Sequence, residues 1–216
     1  METESPDTQV DGGFVMGSRA VMALSGGMDS TSLLLRLLRD GHGVTCVSYE
    51  YGQKHSIEIE RAKKNIQRLQ SMGMEVSHKI IDLSSAMGTF HSALTNHNYK
   101  VPEGHYEEIQ MKQTVVPNRN AIFSSILYGM ALSISQSEDK EVIVALGVHS
   151  GDHAIYPDCR PEFYKALSDA FSMGNWESER VTFELPYITG DKSTILRDAL
   201  QSCKVLGLDF DTIMGS

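Results

Sequence analysis

The sequence predicts an α/β fold, a doubly wound parallel sheet of five strands. Two observations predict it. Apolar runs of strand length alternate with stretches whose apolar residues fall at helical spacing, and a glycine-rich turn joins the first such run to the first helix. Strands separated by helices imply βαβ crossovers and therefore a parallel sheet. Ligands of such sheets bind beyond the carboxyl ends of the strands, so the turns at those ends are where function is sought.

Arg19 to Leu24 is the first apolar run and reads as a buried strand; Thr31 to Leu38 follows, with Leu33, Leu34, Leu37 and Leu38 at helical spacing. Between them lies Ser25-Gly26-Gly27-Met28-Asp29-Ser30. Two glycines let the backbone bend until successive N–H groups face one concavity, and the positive end of the helix dipole faces the same spot. Ser25 and Ser30 add hydroxyl donors. Asp29 opposes a bare phosphate, so a metal ion or its water shell is the expected partner. No Lys stands where a Walker A loop needs one. The turn resembles the pyrophosphate loop of the N-type ATP pyrophosphatases, whose loop holds the β- and γ-phosphates of ATP while the α-phosphate is attacked.

Val44 to Tyr49 is the second strand, followed by Glu50-Tyr51-Gly52-Gln53-Lys54-His55 on the same rim as the first turn. Ser56 to Met72 carries Ile59, Ala62, Ile66 and Leu69 on one helical stripe, and Gly73 reads as its C-terminus. Glu75 to Ile81 is the third strand. Residues 84–113 have no clear period beyond a short helix near Ser84–Thr95; a long irregular stretch of this kind reads as a lid or a surface insertion. Val115-Val116-Pro117-Asn118-Arg119-Asn120 leads into a helix, Ala121 to Ser135, apolar nearly all round and expected to be deeply packed, with Asn118 or Asn120 as its cap. Arg119 there either clamps phosphate or pairs with a surface carboxylate.

Glu141 to Gly147 is a near-continuous apolar strand of parallel-sheet type. At its carboxyl end His149, Asp152, His153, Tyr156, Asp158 and Arg160 crowd ahead of a helix that Pro161 opens, with Glu162 in its first turn. Three candidate metal ligands without a fourth are a weak signal. Recognition of a polar, planar substrate fits better, with each His read as a structural hydrogen-bonder. Val181 to Leu185 is the last strand, and Asp191-Lys192-Ser193 starts the last long helix. Lys192 opposes the dipole there, so it is either a neutral surface choice or a phosphate ligand.

Composition bounds the function. The chain has 216 residues, enough for one domain with a large core, and a net charge of −9, a poor basis for wrapping nucleic acid. The expected organisation is a disordered leader at 1–18 and a single domain at 19–216. Cys46, Cys159 and Cys203 form no C-x-x-C pair, which suits a reducing cytoplasm. No apolar run reaches the length of a membrane span.

Taken together, the first turn, Tyr51-Gly52-Gln53-Lys54-His55, Val115 to Asn120, Gly147-Val148, Tyr156-Pro157-Asp158-Cys159-Arg160-Pro161-Glu162-Phe163, Pro186-Tyr187 and Lys192 resemble the 7-cyano-7-deazaguanine synthase family of the queuosine pathway, over residues 19–210. The Tyr-Pro-Asp-Cys-Arg stretch is the most specific part. The resemblance implies an ATP- and Mg²⁺-dependent ligase that adenylates the carboxylate of 7-carboxy-7-deazaguanine and transfers it to ammonia, giving the amide and then the nitrile, with release of AMP and pyrophosphate. It implies ATP and Mg²⁺ at Ser25, Gly26, Gly27, Met28, Asp29 and Ser30, with Asp29 the metal ligand. Catalytic roles fall to Asp29, Arg119 and Lys192, and substrate contacts to Tyr51, Gln53, His55, Tyr156, Asp158, Arg160 and Glu162. The partners it implies are the deazaguanine, an amine donor and a second copy of the chain; nucleic acid and membrane are not expected.

Two departures from the family pattern stand out. Glu50 and Lys54 replace an Asp and an Arg, keeping the charge. The sequence stops where the family's C-terminal four-cysteine zinc site begins, and Cys203 alone cannot bind structural zinc, so it is read either as truncated or as a zinc-less relative. A zinc-less relative stopping at the amide, or coupling the activated deazaguanine to another amine such as one on a protein in an antiviral or phage role, is one alternative. A tRNA sulfur-transfer enzyme and a non-catalytic nucleotide-binding scaffold are the others; scattered cysteines and net acidity oppose the former.

Overall fold

In the computed structural model, residues 18–52, 57–90, 116–149, 151 and 156–215 are described. Their strands are β1 (Arg19–Ala23), β2 (Gly43–Glu50), β3 (Val76–Asp82), β4 (Val142–Ala145) and β5 (Val181–Glu184). They form one sheet of order β3-β2-β1-β4-β5 with every pairing parallel. The helices are α1 (Met28–Arg39), α2 (Ile57–Ser71), α3 (Ser84–Met87), α4 (Arg119–Glu138), α5 (Pro161–Gly174), α6 (Lys192–Leu206) and α7 (Phe210–Met214).

The alternation of side chains along each strand builds two cores. Ala20 and Met22 of β1, with Val44 and Cys46 of β2, face the leucines of α1, Ala62, Ile66 and Leu69 of α2, and Ile195 and Cys203 of α6. Val21 of β1, with Val47 and Tyr49 of β2 and Val142 and Val144 of β4, faces Leu127, Tyr128 and Ala131 of α4 and Tyr164 of α5. Because β1 and β4 are buried on both faces, they read as continuous apolar runs.

Two local expectations change. Asn118 precedes α4 with φ 59° and offers no side-chain cap. The helix buries one side only: Ile122, Ile126, Met130 and Ile134 stay half-buried, because the sheet covers a single face of it. The short third helix ends at Met87. Of the stretch 84–113 read as a lid, residues 91–113 lie outside the described residues, as do Gln53, His55, Asp152 and His153. No helix among the described residues is long and apolar enough to cross a membrane.

Candidate active site

A cavity of about 370 Å³ opens where the carboxyl ends of β1, β2 and β4 meet. The helix after β1 packs on one face of the sheet and the helix after β4 on the other. Adjacent strands whose crossovers leave in opposite directions form the crevice in which ligands of open α/β sheets sit. Ser25, Asp29 and Ser30 line the cavity from the first turn, Tyr49 and Tyr51 from β2 and its exit, and Arg119 from the start of α4.

The first turn is held open by its own hydroxyls. Ser30 Oγ accepts from Ser25 N–H at 3.2 Å and lies 3.0 Å from Ser25 Oγ, which accepts from Gly27 N–H at 3.2 Å. Gly27, the N-cap of α1, has no side chain to offer the first-turn N–H groups, and a helix start carries orphan donors that a ligand can satisfy. Gly26 is required twice over. Its φ is +87°, and a Cβ on it would stand 2.0 Å from the backbone oxygen of Glu58 in the first turn of α2. The bend therefore brings the N-termini of α1 and α2 together, and Glu58 and Ile59 join the lining.

Asp29 is half-buried and its two oxygens differ. Oδ2 lies 3.5 Å from Nε2 of His149, a residue 3% exposed. Oδ1 is buried without a hydrogen-bond partner among the described residues. A buried carboxylate oxygen left unpaired is costly, and a hard cation satisfies it. The described residues contain no group of three His, Cys, Asp or Glu that could hold a metal by themselves. Asp29, with Glu58 the other acidic residue on the described lining, suits Mg²⁺, which takes most of its ligands from phosphate oxygens and water.

The far wall is aromatic. Tyr49 stacks on Phe123 with ring centroids 3.9 Å apart, and Tyr51 meets the same ring at 5.5 Å. Tyr49 OH donates to the Phe123 backbone oxygen at 3.0 Å, and burial pushes its phenol pKa up, so it stays neutral. Beside it the buried Ser48 donates to Leu24 O at 2.6 Å and lies 2.7 Å from His78 Nε2. Burial first, and Lys63 second, depress the His78 pKa, which leaves that ring neutral and able to donate to Ser48. Ser124 Oγ is buried on the lining without a partner among the described residues. The cavity thus has donors and a carboxylate at one end and flat apolar surface at the other.

The remaining expected residues lie elsewhere. Gly26, Gly27 and Met28 shape the turn without lining the cavity. Tyr156, Asp158, Arg160 and Glu162 occupy the 3-10 turn at Pro157–Cys159 and the start of α5, off the lining among the described residues. That turn meets the rim where Asn120 Nδ2 stands 3.8 Å from Cys159 Sγ; Tyr164, half a turn of α5 beyond Glu162, lines the cavity. Lys192 is exposed on the first turn of α6, after β5, and does not line it. Sequence reasoning passed over Ser48, Phe123 and Ser124, which carry no motif. His149, expected as a structural hydrogen-bonder, is buried and accepts from the Gly151 N–H.

A family model described as queuosine biosynthesis protein QueC matches residues 19–211. The chain is 43% identical over 195 residues to the 7-cyano-7-deazaguanine synthase of Alteromonas mediterranea, covering 90% of this chain and 82% of that one. It is 43% identical over 193 residues to the synthase of Hahella chejuensis, covering 89% and 77%. Among solved structures, a 4-thiouridine synthetase–RNA complex with bound ATP aligns with a TM-score of 0.53 at 14% identity, over 92% of this chain and 43% of that one. At that identity the likeness speaks for the fold alone.

Proposed function

The chain belongs to the QueC family of queuosine biosynthesis proteins, and from that premise we propose that it is an ATP-dependent ligase acting on 7-carboxy-7-deazaguanine. The carboxylate attacks the α-phosphorus of ATP, and pyrophosphate leaves. Ammonia then displaces AMP from the acyl adenylate to give the amide. A second adenylation, on the amide oxygen, lets AMP depart with that oxygen and leaves the nitrile. A free carboxylate is a poor acyl donor, and adenylation turns its oxygen into a good leaving group.

The observation that carries this reading is the cavity itself, which brings a phosphate-type turn and an aromatic wall onto one lining. In this reading the orphan N–H groups of α1 and the hydroxyls of Ser25 and Ser30 hold the β- and γ-phosphates. Asp29 Oδ1 would hold Mg²⁺, which when bound would neutralise phosphate charge. Arg119, on the lining at the mouth of α4, balances charge on the transferred phosphoryl group, and Lys192 adds to it once the nucleotide is in place. Tyr49, Tyr51 and Phe123 offer planar surface to a base. Gln53, His55, Tyr156, Asp158, Arg160 and Glu162, none of them on the described lining, are assigned to the deazaguanine on the family resemblance. No side chain is asked to be a nucleophile, so catalysis is positioning and charge stabilisation.

Incubation with 7-carboxy-7-deazaguanine, ATP, Mg²⁺ and ammonia, followed by chromatography and mass spectrometry, tests the proposal. The expected products are AMP, pyrophosphate and the nitrile, with formation slowed at least about 100-fold by Asp29→Ala. Absence of AMP, or an unaffected Asp29→Ala variant, overturns it.

A further inference from the structure

Asp29 is backed by a side chain that the adenylation chemistry leaves without a task. His149 leaves the carboxyl end of β4 and is 3% exposed. Its Nδ1 accepts from the Gly151 N–H at 3.0 Å. A neutral imidazole that accepts at Nδ1 carries its proton on Nε2, and Nε2 is the atom facing Asp29 Oδ2 at 3.5 Å. The carboxylate therefore has one oxygen directed at a protein donor and the other, Oδ1, buried and unpaired among the described residues.

We infer that His149 is a positioning residue: by donating to Oδ2 it sets the Asp29 carboxylate so that Oδ1 is presented to a divalent cation bound with the nucleotide. This rests on the nucleotide reading of the site. A carboxylate on a helix's first turn otherwise samples several rotamers, and fixing it before the ligand arrives removes that entropy loss from binding. The contact is long for a hydrogen bond; such contacts at catalytic sites tighten when the ligand is present.

The surrounding packing holds the imidazole in place. A Cβ on Gly151 would lie 2.8 Å from His149 Cε1, so the backbone there passes close beside the ring. A Cβ on Gly147 would meet Asp29 O at 3.5 Å, which shows how closely the β4 exit passes the first turn of α1. His149 thus reaches across the β1/β4 crevice. The cation ligand comes from one side of it and its orienting donor from the other.

The test measures binding of Mn²⁺·ATP by titration calorimetry and by the Mn²⁺ paramagnetic resonance signal, with thermal melting alongside. His149→Gln puts an amide nitrogen near the Nε2 position and is expected to stay within about threefold of the original affinity. His149→Asn keeps the Gly151 contact without reaching Asp29, and His149→Leu has no donor. Both are expected to weaken binding about 10- to 100-fold, as loss of a ligand's orienting partner does. Gly151→Ala, at an exposed position, displaces the ring without touching the core, so it weakens binding with little change in melting even if the His149 variants fold poorly. Original affinity in His149→Asn, His149→Leu and Gly151→Ala, or a His149→Gln variant as weak as the leucine one, overturns the inference. Failure of the unaltered protein to bind Mn²⁺·ATP, or unchanged binding by Asp29→Ala, sinks the nucleotide reading instead.

Discussion

Gly26 shows how one residue decides whether the site exists. With φ at +87°, any side chain there adopts the left-handed region, which costs an L-residue about 1–2 kcal/mol. The added Cβ would also stand 2.0 Å from the Glu58 backbone oxygen. Because that atom is part of a helix, it cannot rotate away as a side-chain tip would, and α2 as a whole must shift. Gly26→Ala is therefore expected to lower unfolding free energy by at least about 2 kcal/mol in urea titration, combining backbone strain with overpacking. It should also lose Mn²⁺·ATP binding, since the turn and the start of α2 move apart. A variant of unaltered stability and affinity would show that the bend is tolerant of other backbone angles.

At the scale of the element, α6 is registered on α1 by one carboxylate. Asp198 accepts from Arg39 at 2.6 Å, from Arg36 at 3.2 Å and from the hydroxyl of the buried Tyr187 at 2.7 Å. Burial alone raises the Asp198 pKa; the hydrogen bonds of Arg39 and Tyr187 and the charges of both arginines outweigh it and leave it lowered. A depressed carboxylate pKa contributes stability above the unfolded value near 3.8, and this is lost as pH falls through the folded-state pKa. Asp198→Asn is expected to cost roughly 1–3 kcal/mol at neutral pH, because the arginines and Tyr187 lose a charged acceptor. The loss should shrink as pH falls below 4. Equal destabilisation at pH 7 and pH 3 would contradict the ion-pair account. Both helices follow parallel strands, so their N-termini share one rim, and this clamp sets where Lys192 stands relative to the first turn.

For the molecule as a whole, the cavity lies where the two halves of the sheet meet, with lining from β1, β2, the β4 exit, the first turns of α1 and α2, α4 and Tyr164 of α5. A ligand there contacts elements of both cores at once. Mg²⁺·ATP at about 100 times its Kd is expected to raise stability by about 2.7 kcal/mol, read as an upward shift of melting temperature. The shift should disappear in Asp29→Ala. An equal shift in that variant would put the nucleotide elsewhere.

The sequence by itself determined the strands, the long helices and the first turn. These depend on local periods and on glycine's access to positive φ, which a short window of residues carries. It also made the family legible, through the turn and the Tyr156–Phe163 stretch. Only the tertiary structure decided the strand order β3-β2-β1-β4-β5 and which residues meet in the crevice. His149 and Asp29, Phe123 and Tyr49, and Ser48 and His78 are brought together by crossovers and strand pairing, not by nearness in sequence. A buried histidine, serine or phenylalanine looks the same in sequence whether it faces packed core or a cavity. Neighbours are settled by the sheet's register and by which face each crossover takes, and no local pattern encodes either.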